Sequence, residues 1–181
     1  MKIFLGLGNP GAEYAQTRHN AGFLFLDQLA KKLNLAFKFN KKFNADLAAV
    51  RDDLFLIKPQ TFMNRSGQSI RAFYDWLKID FKDSLNGPTA GPNDLIVVHD
   101  DLDLKLGTYK LQKAKGPKGH NGLQSVYEHL DTQDFWHLRL GVDSRGGERS
   151  IPPADYVLKT LTATEREPLQ AVFDQLLQEL I

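Results

Sequence analysis

One histidine, three asparagines set in turn-forming loops and a carboxylate closing an apolar run are the residues of this chain best suited to chemistry. His19 stands in Thr17-Arg18-His19-Asn20-Ala21-Gly22, directly before an amphipathic segment. Imidazole is the commonest general base, and a helix N-terminus beside it lowers its pKa and keeps it neutral near pH 7. Such a base needs an orienting partner. Asp100 is the best candidate, because it follows the apolar run Leu95–Val98 at the edge where α/β sheets hold their ligands. A carboxylate there fixes the imidazole tautomer and stabilises the imidazolium as it forms. The chain has no cysteine, and no serine sits in a G-x-S-x-G elbow. A covalent acyl-enzyme is therefore not expected, and direct attack by water suits the set better.

The asparagines are Asn9 in Gly6-Leu7-Gly8-Asn9-Pro10-Gly11, Asn64 in Thr61-Phe62-Met63-Asn64, and Asn121 in Gly119-His120-Asn121-Gly122. An asparagine amide can donate to an oxyanion and can pair with both the N–H and the C=O of a peptide. Asn121 has a second reading as a helix N-cap. The glycines of the first loop match the dinucleotide pattern G-x-G-x-x-G, but its context is wrong. Pro10 interrupts the loop, the helix waits until about Ala21, and the ribose-binding acid is missing. Those glycines are read instead as letting a ligand approach the backbone. His99-Asp100-Asp101-Leu102-Asp103 has metal-binding residue types, yet adjacent strand residues point to opposite faces, so His99 and Asp100 do not readily share an ion.

These residues need elements to hold them. Ile3–Leu7 reads as a buried strand, and Ala21–Leu33 as a helix whose core face carries Phe23, Leu26, Ala30 and Leu33. Ala45–Val50 and Leu54–Lys58 flank Arg51-Asp52-Asp53 as a hairpin, and a helix runs from near Ser66 to Leu77. Asn86-Gly87-Pro88 and Gly91-Pro92 mark a surface loop over Asp80–Asn93. Leu95–Val98 has the unbroken apolar character of a central strand. Strands follow near Thr108–Gln112 and Leu138–Val142, a short helix starts at Gly122, and the Leu169–Leu180 periodicity marks a last helix. The fold class expected is α/β: one domain over residues 1–181, a mixed twisted sheet with helices on both faces.

With 181 residues, 42% of them hydrophobic, the chain can bury a core without staples, and the lack of cysteine fits a reducing compartment. The apolar run after Lys2 is cut at once by Gly8-Asn9-Pro10-Gly11, too soon for a signal peptide or a spanning helix, so a cytoplasmic protein is expected. The net charge of +1 hides local asymmetry. Leu104–Tyr127 holds Lys105, Lys110, Lys113, Lys115 and Lys118 and no acid; Leu35–Ala45 holds Lys38, Lys41 and Lys42 among phenylalanines. Such stretches suit a phosphate-bearing partner, although a solvated lysine face is the commoner meaning of any one of them.

Taken in order, these segments closely resemble bacterial-type peptidyl-tRNA hydrolase. The resemblance rests on the Asn9 loop, Tyr14, Thr17–Gly22, Lys58-Pro59, Thr61–Asn64, Ser66-Gly67, His99-Asp100 with Leu102-Asp103, Gly119–Leu123 and Leu138–Gly141. It implies metal-independent hydrolysis of the ester joining a peptide to the 3′ ribose of tRNA, recycling tRNA released prematurely from ribosomes. By similarity, His19 activates the water and Asp100 holds it. Asn9 distinguishes blocked from free aminoacyl groups, Asn64 and Asn121 hold the peptide end and the water, and Tyr14, Phe62 and Met63 line the site near the terminal adenosine. The phosphate-clamping lysine of the family aligns nearest Gln112 or Lys113, and Lys113 and Lys115 of the basic stretch, with Arg139, are then expected to contact tRNA phosphate. No cofactor, metal, membrane or obligate protein partner is expected, and the chain is taken as a monomer. The sequence departs from the family at Lys113–Lys118, where a glycine-rich loop is usual. Two rivals remain: an RNA-binding relative that needs the basic surface without the base, and an esterase of small N-acyl substrates.

Overall fold

A computed structural model describes residues 1–50, 54–79, 95–148 and 150–180 of the protein. Along the chain run β1 (Lys2–Gly6), α1 (Ala21–Lys32), β2 (Lys38–Asn40), β3 (Ala45–Val50), β4 (Leu54–Pro59), α2 (Ser66–Leu77) and β5 (Leu95–Lys105). Then come β6 (Tyr109–Lys113), α3 (Asn121–Leu130), β7 (Trp136–Asp143), α4 (Pro153–Val157) and α5 (Ala163–Glu179). Single 3₁₀ turns at Arg18–Asn20 and Met63–Arg65 precede α1 and α2. The seven strands form one mixed sheet in the order β2-β3-β4-β1-β5-β7-β6. β1 pairs in parallel with β4 and β5, and β5 with β7, while the β2–β3, β3–β4 and β6–β7 pairs are antiparallel.

The two-residue period of the strands divides the core. Phe4, Leu56, Ile96, Val98, Leu138 and Leu140 face a layer containing α1 and α5, where they meet Phe25, Leu26, Leu29 and Phe173. Ile3, Leu5, Phe55, Ile57, Leu95 and Val97 face the other way, onto α2 and α3, and meet Ile70, Phe73, Leu123 and Val126. This is the expected sandwich with helices on both faces.

The expected hairpin and the α1, α2 and α3 helices are present, with small shifts of their ends. β5 runs to Lys105, well past Val98, because β7 continues to pair with it after β1 has ended at Gly6. His99-Asp100-Asp101 lacks apolar residues, so sequence pattern alone gave no reason to extend the strand. β2 and α4 were not anticipated: a three-residue edge strand and a five-residue helix are too short to show a period. α5 opens at Ala163, earlier than its apolar stripe, because Thr162 and Glu165 form a reciprocal capping box. The Arg51–Asp53 turn and the Asp80–Asn93 loop lie outside the described residues.

Candidate active site

The carboxyl ends of β1 and β4 deliver two loops to one rim of the sheet, where β5 runs on to carry Asp100 and the segment after β6 brings in His120. α1 packs very close to that rim. A Cβ on Gly22 would stand 2.3 Å from the Val98 carbonyl oxygen and 2.6 Å from the Leu7 nitrogen, so only glycine lets the helix approach. Gly8 serves the same packing, since a Cβ there would meet the Phe23 ring at 2.6 Å, and Gly6 lies against Gly22 and Leu26. The structure corrects the reading of these two glycines: they admit the helix, not a ligand.

The close approach sets His19, in the turn just before α1, against Asp100 on β5. His19 Nδ1 is 2.8 Å from Asp100 Oδ1. The carboxylate can only accept, so His19 donates through Nδ1 and keeps its Nε2 lone pair. Burial pulls the His19 pKa down, but the charge of Asp100 and its hydrogen bond outweigh burial, and the net shift is upward. This differs from the lowering expected of a helix N-terminus: the nearby carboxylate is the stronger influence. Asp100 is itself buried, which pushes its pKa up, yet His19 and His120 together hold it well below the usual carboxylate range.

His120 is the residue sequence reasoning missed. Its Nε2 lies 3.1 Å from the same Asp100 Oδ1, while its Nδ1 accepts from the Leu123 N–H at 3.3 Å as the N-cap of α3. The backbone donor fixes the tautomer, so His120 donates to Asp100. Asn121 is therefore not the cap; it is the first helical residue. A histidine directly before a helix start was the available signal, but its partner is 20 positions away. His99 and Asp100 are divided as expected: His99 reaches only the Asp100 backbone carbonyl, at 2.9 Å, and burial drives its pKa well below the ordinary value. The facing atoms of His19, Asp100 and His120 all lie within 4.8 Å of one another, a grouping dense enough for a metal ion, although both imidazoles there are engaged as donors to the carboxylate.

Asn9 is buried and locked from three sides. Its N–H donates to Asn20 Oδ1 at 2.9 Å, its carbonyl accepts from Asn20 Nδ2 at 2.9 Å, and its Oδ1 accepts from the Met63 N–H at 2.8 Å. With Oδ1 occupied, Nδ2 is the group it has left to offer. Asn9, His19, Asn64, Asp100, His120 and Asn121 form the polar part of a cleft of about 640 Å³. Among the described residues, neither the Asn64 nor the Asn121 side chain has a hydrogen-bond partner. Phe62, Met63, Leu102, Pro117, Val157 and Leu158 supply its apolar wall. α4 contributes to that wall and was not foreseen.

The remaining predicted residues lie elsewhere. Tyr14 is half-buried in the turn before Thr17 and does not line the cleft. Lys113 is half-exposed and pairs with Asp134 at 3.0 Å, and Lys115 is exposed. Arg139 must be corrected as a surface phosphate contact. It is 6% exposed, on the α3 side of β7, with Nε 2.6 Å from Asp101 Oδ2 and Nη1 2.7 Å from Gln112 Oε1. Its odd-numbered position places it on the same sheet face as His137, against a buried carboxylate that needs a cation.

Under the base, Arg18 reaches from the His19 turn to the N-terminus of α5. It pairs with Glu165, donates to the Lys159 carbonyl at 3.0 Å, and lies 4.3 Å from the centre of the Tyr156 ring. Glu165 also accepts from Ser144 Oγ at 2.5 Å.

A family model described as peptidyl-tRNA hydrolase matches residues 3–181. The chain is similar to the peptidyl-tRNA hydrolase of Polynucleobacter asymbioticus, 43% identical over 99% of this chain and 89% of that protein. It is 42% identical to the peptidyl-tRNA hydrolase of Neisseria meningitidis serogroup C, over 99% of this chain and 88% of that one. The crystal structure of peptidyl-tRNA hydrolase from Acinetobacter baumannii superposes with a TM-score of 0.81 at 34% identity, covering 98% of this chain and 85% of that chain.

Proposed function

The chain belongs to the peptidyl-tRNA hydrolase family and is an ester hydrolase of peptidyl-tRNA; from that premise we propose that His19 is its general base and Asp100 the group that orients it. His19 Nε2 takes a proton from water as the oxygen attacks the ester carbonyl carbon. The imidazolium stays paired with Asp100, whose charge offsets the new one. Collapse of the tetrahedral intermediate breaks the bond to the ribose oxygen, and His19 returns the proton to that leaving oxygen. Free peptide and free tRNA result, and the base is regenerated.

Asn9 Nδ2 faces a substrate that is acylated on its α-nitrogen. A donor there pairs with the carbonyl of the blocking group. A free aminoacyl ester would bring an ammonium, itself only a donor, which cannot pair with the Asn9 Nδ2–H. Asn64 and Asn121 hold the remaining peptide amide and the water, and Phe62 and Met63 offer an apolar surface to the terminal adenosine. The lysines of the Lys105–Lys118 stretch bind phosphate without reading sequence. No helix among the described residues is long and apolar enough to cross a membrane, and we take the site of action to be the cytoplasm and the working form to be the monomer.

The observation that carries this reading is the 2.8 Å contact between His19 and Asp100 at the wall of a cleft lined by three asparagines. Its test is release of tRNA from N-acetylaminoacyl-tRNA beside the unblocked aminoacyl-tRNA. Cleavage of the blocked substrate alone is expected. Equal cleavage of both would remove the role of Asn9, and binding without cleavage would make the chain an RNA-binding relative.

A further inference from the structure

Arg139 is committed to the buried Asp101, and neither Lys113 nor Lys115 lines the cleft, so the reacting end of the cleft needs another cation for the phosphate nearest the ester. We propose that Lys118 is that cation, and that it contacts the phosphodiester on the 5′ side of the terminal nucleotide. The inference rests on the substrate reading above and deepens it.

Among the described residues lining the cleft, Lys118 is the one lysine or arginine. It is exposed, and no carboxylate among the described residues forms an ion pair with it. The backbone around it is constrained at its base. A Cβ on Gly116 would lie 2.7 Å from the Tyr127 hydroxyl, 2.9 Å from Leu123 and 3.1 Å from His137 Nδ1, so the chain there is seated against α3 and β7. Pro117 then fixes its own φ. Gly119 takes a left-handed φ of +78° with no atom within 4 Å of a built Cβ, turning the chain into His120. Lys118 therefore sits on a short span between a packed glycine and the histidine that touches Asp100.

The chemistry of the substrate determines what meets it. The ester is carried on the 3′ end of the terminal ribose, and the nearest anion of the leaving group is the phosphate on the 5′ side of that same ribose. With the ester carbonyl at His19, this phosphate is one sugar away, at the mouth of the same cleft. A lysine is a mobile point charge suited to one phosphate whose orientation is otherwise set by the base and the ester.

The experiment compares two small esters, N-acetylphenylalanyl-adenosine, which has no phosphate, and the same acyl group on cytidylyl-adenosine, which has one. Lys118→Ala is expected to lower kcat/KM on the dinucleotide ester about tenfold, mostly through KM, and to cost less than about threefold on the nucleoside ester. The fall of kcat/KM on the dinucleotide ester with rising salt should be shallower in Lys118→Ala than in the wild type, because the screened charge pair is gone. Lys118→Arg should restore most of the loss, which a purely structural role would not allow. Equal losses on the two esters, or no loss on the dinucleotide, would overturn the assignment. If the wild-type protein cleaves neither ester but does cleave N-acetylaminoacyl-tRNA, the comparison is made between that tRNA and the same tRNA carrying a neutral methylphosphonate on the 5′ side of the terminal adenosine; Lys118→Ala is expected to cost about tenfold on the first and less than about threefold on the second, and equal losses would overturn the assignment. Failure on tRNA as well would take down the substrate reading and this inference together.

Discussion

Asp100 accepts from two histidines through one carboxylate oxygen, and each histidine has a different duty. His120 is pinned by the Leu123 N–H and cannot turn, so it is a fixed donor; His19 keeps a free nitrogen and can act as base. Two consequences can be measured. His19→Ala should abolish turnover, while binding of tRNA, read by filter retention, stays within about threefold, because the basic stretch is untouched. Asp100→Asn should lower kcat by about 10²–10⁴-fold with far less change in KM. The pH profile gives a separate check. A base with a raised pKa is lost as pH falls through that pKa, so the acid limb of kcat/KM in the wild type should lie above the ordinary histidine value of 6.5. In Asp100→Asn burial remains while the attracting charge is gone, and the limb should move to lower pH. A limb that stays in place would transfer the orienting role to another group.

Elements hold the base through contacts that the base itself does not show. The 3₁₀ turn bearing His19 is tied to α5 by Arg18 and Glu165, and α5 is capped by the same Glu165 through Thr162. Burial pushes the Glu165 pKa up, but hydrogen bonds from Ser144, Thr162 and Arg18 bring it down to about 2. Its folded value lies below its unfolded value, so it adds stability above about pH 4.5 that is lost as pH falls toward 2. Glu165→Gln should lower the melting temperature at pH 7 and show a shallower fall between pH 4.5 and 2 than the wild type. Parallel slopes in that window would mean other carboxylates govern acid unfolding. The capping box was readable in Thr162-x-x-Glu165, but the link to Arg18 spans 147 positions and was not.

Across the whole molecule, the cleft and most of the lysines proposed to bind tRNA occupy different regions. The cleft lies at the carboxyl rim of β1 and β4, beside β5, whereas Lys105, Lys110, Lys113 and Lys115 are exposed around β6 at one edge of the sheet. On that proposal a substrate with a tRNA body touches both regions, whereas a small N-acyl ester reaches only the cleft. Cleavage of N-acetylaminoacyl-tRNA should weaken steeply with salt, by roughly 0.7–0.9 in the log–log slope per phosphate engaged, and cleavage of a small uncharged N-acyl ester should hardly change. A shallow slope on tRNA would remove the lysine edge from the binding surface.

The sequence by itself determined the local chemistry: unbroken apolar runs in β1, β4 and the start of β5, turn residues before the helices, and the places of the polar candidates, with Asn9, His19 and Asn64 in turns, Asp100 just past an apolar strand run and Asn121 at a helix start. These follow from periods and turn preferences that act within a few residues of chain. Tertiary structure decided which of those groups meet. His19 and Asp100 are 81 positions apart, and only the packing of Gly22 on β1 and β5 brings them within a hydrogen bond. It recruited His120 to the same carboxylate, turned Arg139 inward to satisfy Asp101, and left Lys118 as the one lysine or arginine lining the cleft among the described residues. Charge type can be read from sequence; whether a charge faces water or a buried partner depends on the face of the strand and on what packs against it.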